Sequence, residues 1–336
     1  MSDPPKVAAP SIWDARYRDG KLACAQERVE SDPIDYTQHP FLYQHAIAKR
    51  LTGSLDGNPL DLIAQRFFRP PARKMLALGS GMAFVEQWFV EGGHVEHVLA
   101  FEQSAVAVEA AKQRIAKAGL AARIELRADD VMHAGLDPGQ YDVVMVQASL
   151  HHFFNIEEMF ALMHSVLKPG GLLVYDEYVG PDHHMYEPEV MALMDEVNAC
   201  LAPAYRFDVL RQETREQIPR GTLEWMKNMD PSEGVHASMI LPLTYKYFDV
   251  EYRGDFGGAF MRPFFVGILP NFDFGDPKDQ TVARLIVLVE ELLTRYAVIP
   301  NYHTRVVARR RDVPRTDVAP ADLQRINYAD WPGLPK

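Results

Sequence analysis

An open α/β sheet with helices on both faces is the fold this sequence predicts, and three observations predict it. Short apolar runs of strand length alternate with segments of helical periodicity from about residue 70 onward. The first run, Met75–Leu78, ends in a glycine turn, Gly79-Ser80-Gly81, that leads straight into a helical pattern. Further on, Lys168-Pro169-Gly170-Gly171 separates a helical stretch from another apolar run within a few residues.

The elements follow in order. Phe84, Trp88 and Phe89 mark one face of the helix after the glycine turn, and Val98–Phe101 is a second buried strand ending at Glu102. The helix Ser104–Ala118 is stopped by Gly119. A third strand, Ile124–Leu126, runs into Asp129-Asp130-Val131, and a fourth, Gly139–Val146, into Gln147-Ala148-Ser149-Leu150-His151-His152. Asn155 can cap a helix reaching Leu167, followed by the fifth strand Leu172–Tyr175 and then Asp176-Glu177-Tyr178. Residues 181–237 read mostly as helices, with His183 and His184 at their start. Phe248–Arg253 alternates like an edge strand, 256–299 is helical with Leu285, Val289, Leu292 and Leu293 on one face, and His303–Arg309 fits a last, antiparallel strand. Seven strands are therefore expected.

The stretch Lys74–Glu102 is a strand, glycine loop, helix, strand and acid, a unit that binds nucleosides. The glycines let backbone approach a ligand closely, and the acid can accept hydrogen bonds from both ribose hydroxyls. Phe84 stands where the third glycine of a dinucleotide fingerprint would fall, and no phosphate loop of the G-x-x-x-x-G-K type is present. A ligand with ribose but no phosphate fits best, and S-adenosyl-L-methionine is the common one.

At these residues the chain resembles the class I S-adenosylmethionine-dependent methyltransferases. Gly79 and Gly81 match their first motif, although Ala77 stands where an acid is usual and Ala83 where the third glycine is usual. Tyr141-Asp142 and Lys168–Gly171 resemble later motifs. The resemblance implies a Rossmann-like seven-stranded sheet, mostly parallel, with the last strand antiparallel. It implies that Gly79, Ser80, Gly81, Glu102, Gln103, Asp129, Asp130, Val131, Gln147 and Ala148 bind the cofactor, Asp129 being the better match for the adenine contact. S-adenosyl-L-homocysteine would be the product. Asp176–Pro181, Asp230–Val235 and Ile240–Leu243 resemble a narrower bacterial subset that accompanies surface-polysaccharide or secondary-metabolite biosynthesis. The implied layout is an N-terminal helical lid (1–69), a cofactor-binding core (70–180), a helical cap (181–237), completion of the sheet (238–311) with a helical insertion (256–299), and a tail (312–336).

Methyl transfer needs alignment of the acceptor and exclusion of water, and an oxygen acceptor of high pKa also needs a base. His152, His151 and Glu177 fall at the carboxyl edge of the sheet and are the catalytic candidates, His152 resembling the position nearest the acceptor. Tyr178, His183, His184 and Tyr17 are candidates for holding the acceptor, Tyr17 from a Trp-Asp-x-Arg-Tyr lid segment. O-methylation of a sugar or secondary metabolite is the expected reaction. N- or C-methylation and a non-catalytic binding protein are the alternatives, and a nicotinamide enzyme is disfavoured by Phe84.

Composition narrows the partners. The 336 residues carry a net charge of −11, and the only basic run, Arg309–Arg311, is short, so no nucleic-acid partner is expected. The chain lacks a stretch of about 18 apolar residues, so no membrane span is expected either. The two cysteines, Cys24 and Cys200, lack ligand spacing, and adjacent histidines tend to point apart, so no metal is expected. The start lacks a signal-peptide pattern, which suits a cytoplasmic protein. A small-molecule acceptor is the expected partner, with a homodimer left open.

Overall fold

The computed structural model describes residues 36–316. Ser11, Trp13 and Tyr17 of the expected lid, and the tail beyond residue 316, lie outside the described residues.

A helical run over 40–52 opens the described chain and ends at Gly53 in the left-handed conformation. Helix α1 (Pro59–Phe67) starts at Asn58, whose side chain accepts from the Leu60 amide. Then come β1 (Ala72–Leu78), α2 (Phe84–Glu91), β2 (Val95–Phe101), α3 (Ala105–Lys117) and β3 (Ile124–Arg127). Next are β4 (Tyr141–Gln147), α4 (Ile156–Val166), β5 (Leu167–Tyr178), α5 (Pro188–Cys200), α6 (Leu223–Met229) and α7 (Ile240–Tyr247). The chain closes with β6 (Phe248–Asp255), α8 (Met261–Phe265), α9 (Pro277–Arg295) and β7 (His303–Arg310).

Seven strands form one sheet in the order β3-β2-β1-β4-β5-β7-β6, and Phe207–Asp208 pairs with Glu213–Thr214 in a separate two-stranded ribbon. β1 to β5 are parallel, and β7 runs antiparallel between β5 and β6. This is the seven-stranded Rossmann-like sheet the sequence predicts. Parallel register sets Leu78 beside Phe101 and Val146, and Gln147 beside Asp176. The loops after β1, β2, β4 and β5 therefore open on one edge, where ligands of such sheets bind.

Each sheet face has its own core. Met75, Ala77, Val98 and Ala100 pack with α2 and α3, while Leu76, Leu78, Val144 and Val146 pack with α4 and α7. Buried on both sides, these strands read as continuous apolar runs rather than alternating ones. A third apolar cluster unites the 36–51 region with α5, α8, α9 and Tyr178, Phe256 and Tyr302 beside the strand ends. It stands over the open edge of the sheet.

Three local expectations are corrected. The face of α2 turned to the sheet carries Ala83, Glu86, Phe89 and Val90, whereas Phe84 is 38% exposed. The buried face of α9 carries Ala283, Ile286, Val287, Glu290 and Thr294, leaving Leu285 and Leu292 exposed. In both helices a buried glutamate belongs to the inner face, which an apolar pattern does not reveal. Lys168–Gly171 is a register shift inside β5 rather than a turn before it: Tyr141 pairs with Leu167, and pairing resumes at Leu172 with Val143.

Candidate active site

A cavity of about 810 Å³ lies at the carboxyl edge, between the strand ends and the helical layer above them. Its floor at one end is the β1–α2 turn. Gly79 and Gly81 have φ of 61° and 52°. A Cβ on Gly79 would lie 2.4 Å from the Ser149 Cβ, so only glycine lets the β1 and β4 loops meet this closely. Glu102, at the end of β2, ties the turn in place: its Oε2 accepts from the Gly81 amide at 2.8 Å and its Oε1 from the Ser104 amide at 2.9 Å.

Gln103, Asp129, Asp130 and Val131 line the same cavity beyond β2 and β3. Asp129 accepts from the Asp130 amide, and Asp130 caps a short turn through the Met132 amide and meets His133 Nδ1 at 2.9 Å. From β4 come Gln147 and Ala148, the latter at φ 47°. All ten expected cofactor residues thus border one space. The Ser80 hydroxyl, buried beside that floor, has no hydrogen-bond partner among the described residues. The cradle at Gly79 and this orphaned hydroxyl, with the Glu102 carboxylate beside them, fit a nucleoside ligand.

At the opposite end the cavity becomes a histidine–carboxylate cluster. Glu177, 2% exposed at the end of β5, accepts from the Ser149 and Leu150 amides through Oε1, at 2.5 and 2.6 Å. Its Oε2 meets His151 Nδ1 at 2.6 Å. That bond fixes the imidazole with Nε2 facing inward, where Glu233 Oε1 lies 3.9 Å away, beyond hydrogen-bond reach. Burial lowers the affinity of His151 for a proton, but the charge and hydrogen bond of Glu177 outweigh it, and the pKa is raised.

His152 turns its Nδ1 to the Ser232 hydroxyl at 3.1 Å, and that hydroxyl donates to Asp230 at 2.7 Å. Its Nε2 also faces Glu233, at 3.9 Å. The adjacent rings stand 4.2 Å apart instead of diverging. His151, His152 and Glu233 therefore offer ligand atoms within 4.8 Å of one another, a set that could hold a divalent ion. Arg262 and His184 already share the Glu233 carboxylate, at 3.2 and 2.7 Å. Burial opposes ionisation of Glu233, but these partners prevail and hold its pKa well below the usual range. Burial and the Arg262 charge push His184 down to about 4, so it donates as a neutral ring.

The remaining candidates separate. Tyr178 lines the cavity, with its hydroxyl donated to the Pro181 carbonyl and its ring 4.1 Å from that of His184. His183 bonds the Glu233 carbonyl through Nδ1, and neither it nor His184 is part of the cavity lining. Sequence reasoning missed Ser232 and Glu233 as site residues and passed over Glu86. The Asp230–Val235 block was visible as a motif, but nothing in the chain shows that it packs on His151 and His152, some 80 residues earlier.

Residues 76–175 match the family model of a methyltransferase domain. Over this stretch the chain is similar to a methyltransferase domain. That domain spans β1 to β5, from the glycine turn to the strand that delivers Glu177. No curated protein matches the chain by sequence. Among solved structures, it is similar to an S-adenosylmethionine-dependent methyltransferase from Mesorhizobium loti, at 17% identity and a TM-score of 0.44 over 75% of this chain and 97% of that one. It is also similar to the [4+2]-cyclase SpnF, at 17% identity and 0.42 over 74% and 79%. A third likeness is to geranyl diphosphate methyltransferase in complex with its diphosphate and sinefungin, at 10% identity and 0.43 over 75% and 77%. Likenesses at this level do not bear on what the chain acts on.

Proposed function

We propose that the protein transfers a methyl group from S-adenosyl-L-methionine to a hydroxyl of a small molecule, with His151 as the base. The cofactor supplies an activated methyl on a sulfonium. The acceptor oxygen would take that carbon while the electron pair of the broken carbon–sulfur bond stays on sulfur. The acceptor proton passes to His151 Nε2, and Glu177 holds Nδ1–H and balances the imidazolium. The observation that carries this reading is the Glu177–His151 pair opening into the cavity that Gly79 and Glu102 also line.

His152 is the lesser candidate for the base because its Nδ1 leans on a neutral hydroxyl rather than a carboxylate. The cofactor roles proposed for Gly79, Ser80, Gly81, Glu102, Gln103, Asp129, Asp130, Val131, Gln147 and Ala148 are supported by their shared cavity. Tyr178 and Arg262, which line the cavity, would face the acceptor, and the helical layer around α5, α8 and α9 would keep water out during transfer. The 810 Å³ cavity leaves room for an acceptor of metabolite size, and the −11 charge disfavours a polyanionic one.

The test uses wild-type protein, methyl-labelled cofactor and a panel of hydroxylated sugars and phenols. Label in an alkali-stable ether, lost in His151→Asn while the binding of S-adenosyl-L-homocysteine persists, supports the reading. Label recovered only on nitrogen or carbon, or an unchanged rate in His151→Asn, overturns it.

A further inference from the structure

Six carboxylates line the cavity: Glu86, Glu102, Asp129, Asp130, Asp176 and Glu177. Five of them are engaged by other residues. Glu102 holds the Gly81 and Ser104 amides, Asp129 the Asp130 amide, and Asp130 the Met132 amide and His133. Asp176 is paired with Arg305, and Glu177 with His151. Glu86 differs. It is 4% exposed on the first turn of α2, and among the described residues its carboxyl accepts only from its own amide. Arg114, whose charge acts on Glu86, gives its guanidinium to the Met82 carbonyl and the Gln87 side chain and lies across the Phe84 ring. A buried carboxyl without an outside donor costs stability unless a ligand completes it.

Its location says which ligand. Glu86 shares the inner face of α2 with Ala83, Phe89 and Val90, the face that packs over Ala77 of β1. β1 thus brings no carboxylate beneath the glycine turn, and α2 brings one from above. A cofactor with its ribose at Glu102 and its methyl toward His151 spans the cavity from β2 to β4. Its amino-acid end then falls at the turn between them, beside the start of α2.

We infer that Glu86 is the acceptor for the α-ammonium of the methionine moiety, supplying from helix α2 the charge that strand β1 lacks at Ala77. This rests on the cofactor reading above. The burial that pushes Glu86 up to about 7 fits the assignment, because an arriving ammonium would restore the ionised form. A charge-assisted hydrogen bond of this kind corresponds to roughly a tenfold to hundredfold difference in affinity.

Calorimetry with two ligands separates recognition from folding. S-adenosyl-L-homocysteine carries the ammonium, whereas 5′-methylthioadenosine has the same nucleoside and sulfur without it. Glu86→Gln is expected to weaken the first at least tenfold and leave the second within twofold of wild type. Glu86→Asp is expected to fall between the two for the first ligand. Equal losses for both ligands, or no loss for either, would overturn the assignment. A wild-type protein that binds neither ligand would instead overturn the cofactor reading on which it rests.

Discussion

His151 is set apart from the other histidines of the site by its partner. His184 donates to Glu233 and is pushed down to about 4, whereas His151 is held above its ordinary value by Glu177 despite burial. As a base it must be neutral, so activity is expected to rise with pH and level off only above the ordinary histidine range, near 6.5. Glu177→Gln keeps an acceptor for the loop amides but removes the charge, so the midpoint of the pH–rate profile should move down. A profile in Glu177→Gln that superimposes on wild type would refute the coupling. His151→Asn should lower kcat by roughly 10²- to 10⁴-fold with little change in cofactor affinity, as read by single-turnover kinetics beside calorimetry. The same pairing has a stability consequence. A folded value raised above the unfolded one means that its contribution is fully present below about pH 6.5 and is lost as pH rises through the folded value.

Among the elements, the β1–α2 turn and helix α9 show what one-dimensional reading captures. The turn was legible because its signal is local: an apolar strand, two glycines, then a helix. Gly79→Ala places a methyl group against Ser149 at a φ of 61°, and should weaken S-adenosyl-L-homocysteine by more than tenfold in calorimetry. Helix α9 was legible as a helix but not in its rotation. Its buried face includes Glu290, whose Oε1 accepts from the Gly258, Phe260 and Met261 amides at 2.9, 2.9 and 3.0 Å. A charge that gathers three amides from a loop some 30 residues earlier leaves no trace in hydropathy. The same holds for Glu233 at the histidines and for Glu86 on α2, which is why the neighbours of the glycine turn could be read from the chain and those of the histidines only in part. Glu290→Ala would strand three buried amides, each costing about 1–3 kcal/mol, so a loss of at least 3 kcal/mol in urea unfolding is expected. A loss under 1 kcal/mol would mean that the loop reorganises to satisfy its own amides.

For the whole molecule the question is whether the layer over the cavity and the sheet beneath it are one cooperative body. The upper cluster contains Tyr178 from the end of β5 and Phe256 and Tyr302 flanking β6 and β7, so its core is partly made by the sheet's own strand ends. Phe256 donates its amide to the His303 carbonyl, and Tyr302 and His303 donate theirs to Gly257, continuing the β6–β7 ladder into that upper layer. Loosening the layer would expose Tyr178 and undo this ladder, which should tie the two into a single unfolding transition. A ligand seated between them binds only the folded state. At a hundred times its dissociation constant it adds about 2.7 kcal/mol, or roughly 4–5 °C in Tm for a body of this size. S-adenosyl-L-homocysteine should therefore shift one calorimetric peak as a whole in wild type and in His151→Asn, and shift it far less in Gly79→Ala. Two resolved peaks, with the ligand moving only one, would show that the upper layer folds independently and that cavity closure is a docking event between separate units.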